Sequence, residues 1–140
     1  MADRLLLAKA LAEIRDAVAR IREVLPADTA AFARDRTTRE VVVLNLFVAL
    51  QSCLSVATHW LADSQLDVPA AYRDVFVALG DRRVLSSDLA ARLAAASGLR
   101  NLIAHRYGVL DWQRIHTIAS TQLADLLAFC EEMDRAAKSP

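Results

Sequence analysis

Ten successive residues, Val41–Leu50, carry a single polar side chain, Asn45. No other stretch limits the fold so strongly. A helix that is apolar almost all round must be covered on most sides, so this segment belongs at the centre of a helical bundle. Thr37-x-x-Glu40 has the form of a capping box at its start, and the helix is expected to run to about Asp63. Asn45 must then be satisfied, because an unpaired buried amide costs about 1–3 kcal/mol. It is either a core amide served by its surroundings or a contact to the polar helix described below.

The flanking segments supply the cover. Leu7, Leu11, Ile14, Val18, Ile21 and Leu25 recur in alternating steps of four and three between about Asp3 and Leu25, and Pro26 ends that helix. Such a seam suits antiparallel packing within one chain or against a second copy. Residues 27–36 read as a connection with one short helical turn, capped by Asp28 or Thr29. His59 and Trp60 close the central helix as packed or edge residues. Val68-Pro69 opens a short helix with Tyr72, Val75, Phe76 and Leu79 on one face and Gly80 as its stop.

Ser86-Ser87-Asp88 offers caps for the next helix, which carries Leu89, Leu93, Ala94 and Ala96. Gly98 within it implies a bend or the close approach of another backbone, and Gly108 is its natural end. Asp111 caps a last helix with Ile115, Ile118, Leu123, Leu126, Leu127, Cys130 and Met133 on its buried side, and the tail from Lys138 to Pro140 should fray. The expectation is an all-α, up-and-down bundle of four long helices plus a short fifth. It forms one domain over residues 1–140.

Lysines and arginines equal aspartates and glutamates at 17 each, so strong non-specific affinity for RNA or DNA is not expected, and DNA is not a partner. Cys53 and Cys130 lie in apolar helical patterns as reduced, buried thiols. No leader pattern is visible, and no run of about eighteen uncharged apolar residues marks a membrane span. A cytoplasmic chain fits. The three histidines, His59, His105 and His116, have no metal-ligand spacing, and no glycine-rich phosphate loop exists.

The chemistry concentrates in Arg100–Tyr107, Arg-Asn-Leu-Ile-Ala-His-Arg-Tyr. On a helical projection from Arg100, Asn101 falls near 100° and His105 near 140°, while Leu99, Leu102 and Ile103 occupy roughly 200–300° and face a core. Tyr107 returns to about 340°, nearly above Arg100. Arginine holds phosphate by a planar fork. Histidine exchanges a proton near neutral pH. Asn101, one turn before His105, can fix its tautomer. The set suits metal-free phosphodiester cleavage in which an RNA 2′-hydroxyl attacks the adjacent phosphorus. One chain supplies one histidine at this site, which favours two copies facing each other. The plainer alternative is an Arg100 paired with a carboxylate and a His105 that caps or packs.

Arg100-Asn101-Leu-Ile-Ala-His105-Arg106-Tyr107 resembles the Arg-x4-His-x-Tyr motif of HepT-type toxins in the HEPN superfamily of helical ribonucleases. Val68-Pro69-Ala-Ala-Tyr72, Gly98-Leu99, Asn45-Leu46 and Cys53-Leu54 fall in the order that family shows, with Ser55 where an acidic residue is frequent. The resemblance implies a homodimeric endoribonuclease with Arg100 and His105 catalytic and Asn101 supporting. It further implies an MntA-type nucleotidyltransferase antitoxin that transfers AMP from Mg-ATP onto Tyr107. The metal and the ATP belong to that partner, so this chain needs no cofactor. The alternative is a non-catalytic helical module that docks a nucleotidyltransferase and positions its substrate.

Overall fold

A computed structural model describes residues 3–139, and every element in it is helical. Four long helices, α1 (Arg4–Val24), α3 (Arg36–Asp63), α5 (Ser87–His105) and α7 (Leu123–Lys138), carry the bundle. Three short ones, α2 (Thr29–Arg34), α4 (Tyr72–Asp81) and α6 (Trp112–Thr121), fill its connections. The four long helices of the sequence reading are therefore present, and the short ones number three rather than one. Helix α1 lies on α3, α3 on α5, α5 on α7, and α7 back on α1.

The seam of α1 is buried inside this chain: Leu7, Leu11, Ile14, Val18 and Ile21 all lose their water to α3 and α7. It does not wait for a second copy. Helix α3 is long and apolar enough to cross a bilayer by length and composition, which the sequence reading did not register. Half of its most apolar stretch is buried within the bundle. Its cover is incomplete at one place: Leu44 is 61 % exposed, with Val41, Phe47, Val48 and Gln51 half-buried around it. Asn45 Nδ2 donates to the Val41 carbonyl at 2.8 Å, so the amide is satisfied by its own helix.

Several helix ends differ from expectation, each for a local reason. Helix α3 starts two residues early. Asp35, the single residue between α2 and α3, is extended, and its carboxylate accepts from Thr38 N (3.2 Å) and Thr38 Oγ1 (2.8 Å). With Asp35 as cap, Thr37 is already helical and Glu40 pairs with Arg36 at 2.8 Å instead of closing a capping box. The Thr38 bonds hold the Asp35 carboxyl below its usual value. Helix α4 begins at Tyr72, past Val68-Pro69, with Ala71 as an uncapped N-terminus. Its first buried residue is Val75, so tertiary contact rather than Pro69 fixes its start.

The last helix is broken at Gln122 into α6 and α7. Thr117, Ser120 and Thr121 each turn their hydroxyl back onto the carbonyl four residues earlier, which competes with the backbone ladder just before the break. His116 on α6 is buried. Its Nε2 donates to the Pro26 carbonyl at 2.8 Å and its Nδ1 accepts from Thr29 Oγ1 at 3.1 Å, with the Phe32 ring 5.5 Å away. This histidine ties α6 to the connection before α2. Lys138 is helical, and Pro140 lies outside the described residues.

The glycines do not end the helices as expected. Gly80 lies within α4, and the turn after it is made by Arg83 at φ 60°. A Cβ on Gly80 would come within 2.7 Å of Ala90 Cβ on α5, so its role is to let the two helices touch. Gly98 has nothing within 4 Å of where its Cβ would be, and α5 continues through it. Gly108 does not adopt a positive φ.

Two outcomes follow from this packing. Gly80→Ala should destabilise the chain by about 1–3 kcal/mol, read as a lower thermal midpoint, because Ala90 Cβ is rooted in backbone and cannot swing away. Burial raises the Cys53 thiol pKa well above its ordinary 9.0 and the Cys130 pKa from 9.0 to about 11. A group whose folded pKa is raised supports the fold below its unfolded pKa and loses that support as pH rises through the folded value. Stability should therefore decline from about pH 9 through about pH 11. Both thiols should resist a disulfide reagent at mildly alkaline pH until denaturant is added.

Candidate active site

Helix α5 carries the polar motif because its other side is apolar. Leu99 and Ile103 are buried against the bundle, which turns Arg100, Asn101, Ala104 and His105 toward the rim. Arg100 is the most constrained of these. Its Nε donates to Gln51 Oε1 on α3 at 2.7 Å and its Nη1 to Asn101 Oδ1 at 3.1 Å. The guanidinium carbon lies 5.4 Å from the centre of the Phe47 ring and 5.0 Å from that of Tyr72. None of these four partners is a carboxylate, so the positive charge is held in place without being neutralised. A guanidinium has five N–H donors, and these two bonds leave the remaining fork free for an anion. The carboxylate pairing allowed by sequence is not formed among the described residues.

Asn101 has a different task from the one expected. Its carbonyl oxygen serves Arg100 rather than the His105 ring. His105 is the last residue of α5 and is exposed, with no hydrogen bond to its ring among the described residues. His59 is spent on the Ser55 carbonyl of its own helix at 2.8 Å.

Tyr107 does not continue the helix. The backbone leaves α5 at Arg106 (φ −141°, ψ 43°), and residues Tyr107–Val109 form a single 3-10 turn. The helical projection that placed Tyr107 above Arg100 therefore does not apply. Its ring instead meets Trp112 of α6 edge-on, centres 6.0 Å apart and planes at 72°. Trp112 also carries Arg39. The Arg39 guanidinium carbon lies 4.8 Å over its ring, and Arg39 Nη1 donates to the Ala33 carbonyl at 2.7 Å.

Gln51, Phe47, Tyr72, Trp112 and Arg39 are the functional neighbours that sequence reasoning did not assign to the site. Tyr72 and Phe47 read as ordinary apolar-face residues. Gln51 alone carried a signal, as the polar residue that ends the apolar run of α3.

The chain as a whole is similar to known proteins. The mRNA nuclease HepT of Shewanella oneidensis is 29 % identical over 121 residues, 86 % of this chain and 90 % of that protein. The tri-AMPylated HEPN toxin of Shewanella oneidensis, solved in complex with MNT antitoxin, superposes with a TM-score of 0.85 at 27 % identity, covering 96 % of this chain and 99 % of that one. A toxin–antitoxin structure with AMP-PNP superposes with a TM-score of 0.84 at 26 % identity, covering 92 % and 97 %. A family model described as ribonuclease HepT-like matches residues 14–133. The chain belongs to the ribonuclease HepT-like family.

Proposed function

We propose that this chain is an endoribonuclease toxin that cleaves RNA without a metal, through Arg100 and His105. The observation that carries the reading is the charge state of Arg100: four side chains position it and none neutralises it. Such a cation exists to meet an anion that is not part of the fold. In the reaction His105 removes the proton of an RNA 2′-hydroxyl, and the oxygen attacks the neighbouring phosphorus. The bond to the 5′-oxygen breaks, and that oxygen takes a proton from a second imidazolium. The products are a 2′,3′-cyclic phosphate and a 5′-hydroxyl. Arg100 offsets the charge gathering on the phosphoryl oxygens. Asn101 and Gln51 keep its fork aimed.

The second imidazolium comes from a second copy. Arg100 and His105 are separated by about 7.5 Å along the helix and about 140° around it, a poor placement for one phosphate within one chain. The uncovered stripe Val41, Leu44, Phe47, Val48 and Gln51 runs directly into Arg100. Pairing through it in a homodimer hides apolar surface and brings the two motifs together.

The same reading gives the chain an antitoxin partner in the cytoplasm. The Shewanella relative is tri-AMPylated and bound to MNT antitoxin. Here the acceptor is Tyr107, whose hydroxyl makes no hydrogen bond among the described residues and whose surface is 44 % exposed. A nucleotidyltransferase would transfer AMP from ATP onto the phenol oxygen, releasing pyrophosphate. The new negative phosphodiester would then compete with RNA.

Expressed alone, the chain should cleave single-stranded RNA and arrest growth. His105→Ala should lower cleavage by at least about 10²-fold with an unchanged thermal midpoint. Equal inactivity of both proteins would end the nuclease reading in favour of a docking module. Intact mass after co-expression with a nucleotidyltransferase of this type should show added AMP on the wild type and none on Tyr107→Phe. AMP retained by Tyr107→Phe would move the acceptor elsewhere.

A further inference from the structure

Cleavage and its control use Tyr107 only as a place for modification, yet its surroundings are organised for more. The ring is exposed but not loose. Trp112 meets it edge-on at 6.0 Å, and Arg39 is stacked 4.8 Å over Trp112. Arg36 precedes Arg39 by three residues and so shares its face of α3. Its side chain is 82 % exposed, and among the described residues it pairs with Glu40, itself about half exposed. That pair is weak in water and easily exchanged for a phosphate. The hydrogen bond and charge of Glu40 raise the Arg36 pKa, with a small further contribution from the ionised form of Tyr107.

An exposed aromatic ring braced by a second ring, with an exposed guanidinium one helical turn from the cation that holds that brace, can receive one nucleotide of a single strand. The base lies on the ring and the phosphate meets the cation. We propose that Tyr107 and Arg36 form a nucleotide subsite for the RNA strand, next to His105, with Trp112 and Arg39 as positioning residues. The proposal rests on the ribonuclease reading and adds to it where the strand runs: from Arg100, past His105, onto the turn after α5. Modification of Tyr107 then blocks cleavage by filling a subsite. The AMP phosphate takes the cation that an RNA phosphate would use, and the nucleoside covers the ring.

The test uses the full-length chain carrying His105→Ala and a fluorescein-labelled single-stranded RNA of about ten nucleotides, with affinity read by anisotropy. Adding Tyr107→Phe, which keeps the ring, should leave Kd unchanged. Adding Tyr107→Ala should weaken binding about tenfold. Adding Arg36→Gln should weaken it and also lower the slope of log Kd against log salt by about 0.7, the signature of one lost phosphate contact to a single strand. Both positions are exposed, and unchanged thermal midpoints will exclude misfolding. An unchanged Kd for either Tyr107→Ala or Arg36→Gln, or an unchanged salt slope for Arg36→Gln, overturns the subsite. Failure of the wider reading looks different: a wild-type chain that cleaves no RNA, whatever the binding data show.

Discussion

The fold depends on the need to cover α3. A 28-residue helix with so little polar surface cannot stand in water, and each long partner is placed by the area it hides. Helix α1 contributes a continuous apolar seam, and α5 and α7 complete the enclosure. The position of the site follows. Helix α5 docks through Leu99 and Ile103, which sets the rotation of Arg100 and brings it to Gln51, just where the apolar run of α3 ends. The arginine is thus located by the hydrophobic packing beneath it and aimed by two amides and two rings.

Much of this was legible in the chain because it is local or periodic. The four-three steps of α1, the caps at Asp28 and Asp111, the buried thiols and the helical setting of Arg100 all depend on spacing within a turn or two. What escaped was decided by competition or by distance. Asp35 and Thr37 are both competent caps, and only the abrupt junction between α2 and α3 selects Asp35. Gly80 looks like a stop signal until Ala90, on the next helix, shows that it is a contact. Gln51 and Arg100 are 49 residues apart, and no periodicity joins them.

His116 and His105 show how environment divides one side chain into two uses. His116 is enclosed, with a carbonyl on one nitrogen, a hydroxyl on the other and Phe32 beside its ring. Both ring positions are committed, so it serves as a fastener between α6 and the segment before α2. His105 ends its helix in solvent with both nitrogens uncommitted among the described residues. The proton exchange proposed for His105 needs that freedom. The held part of the motif is therefore Arg100 with its partners, and the part left without a hydrogen bond among the described residues is His105.

Helix α5 ends at His105, one residue before the turn that carries Tyr107. Arg100 and Tyr107 thus belong to separate structural units, one anchored to α3 and the other to α6 through Trp112. Sequence drift in the turn leaves the arginine's mounting intact, and drift around Gln51 leaves the tyrosine's. In the proposed roles, the acceptor of the modification and the arginine that meets RNA are thus mounted on different helices. A substitution in the three-residue turn or at Trp112 would shift the tyrosine while the arginine keeps its mounting on α3.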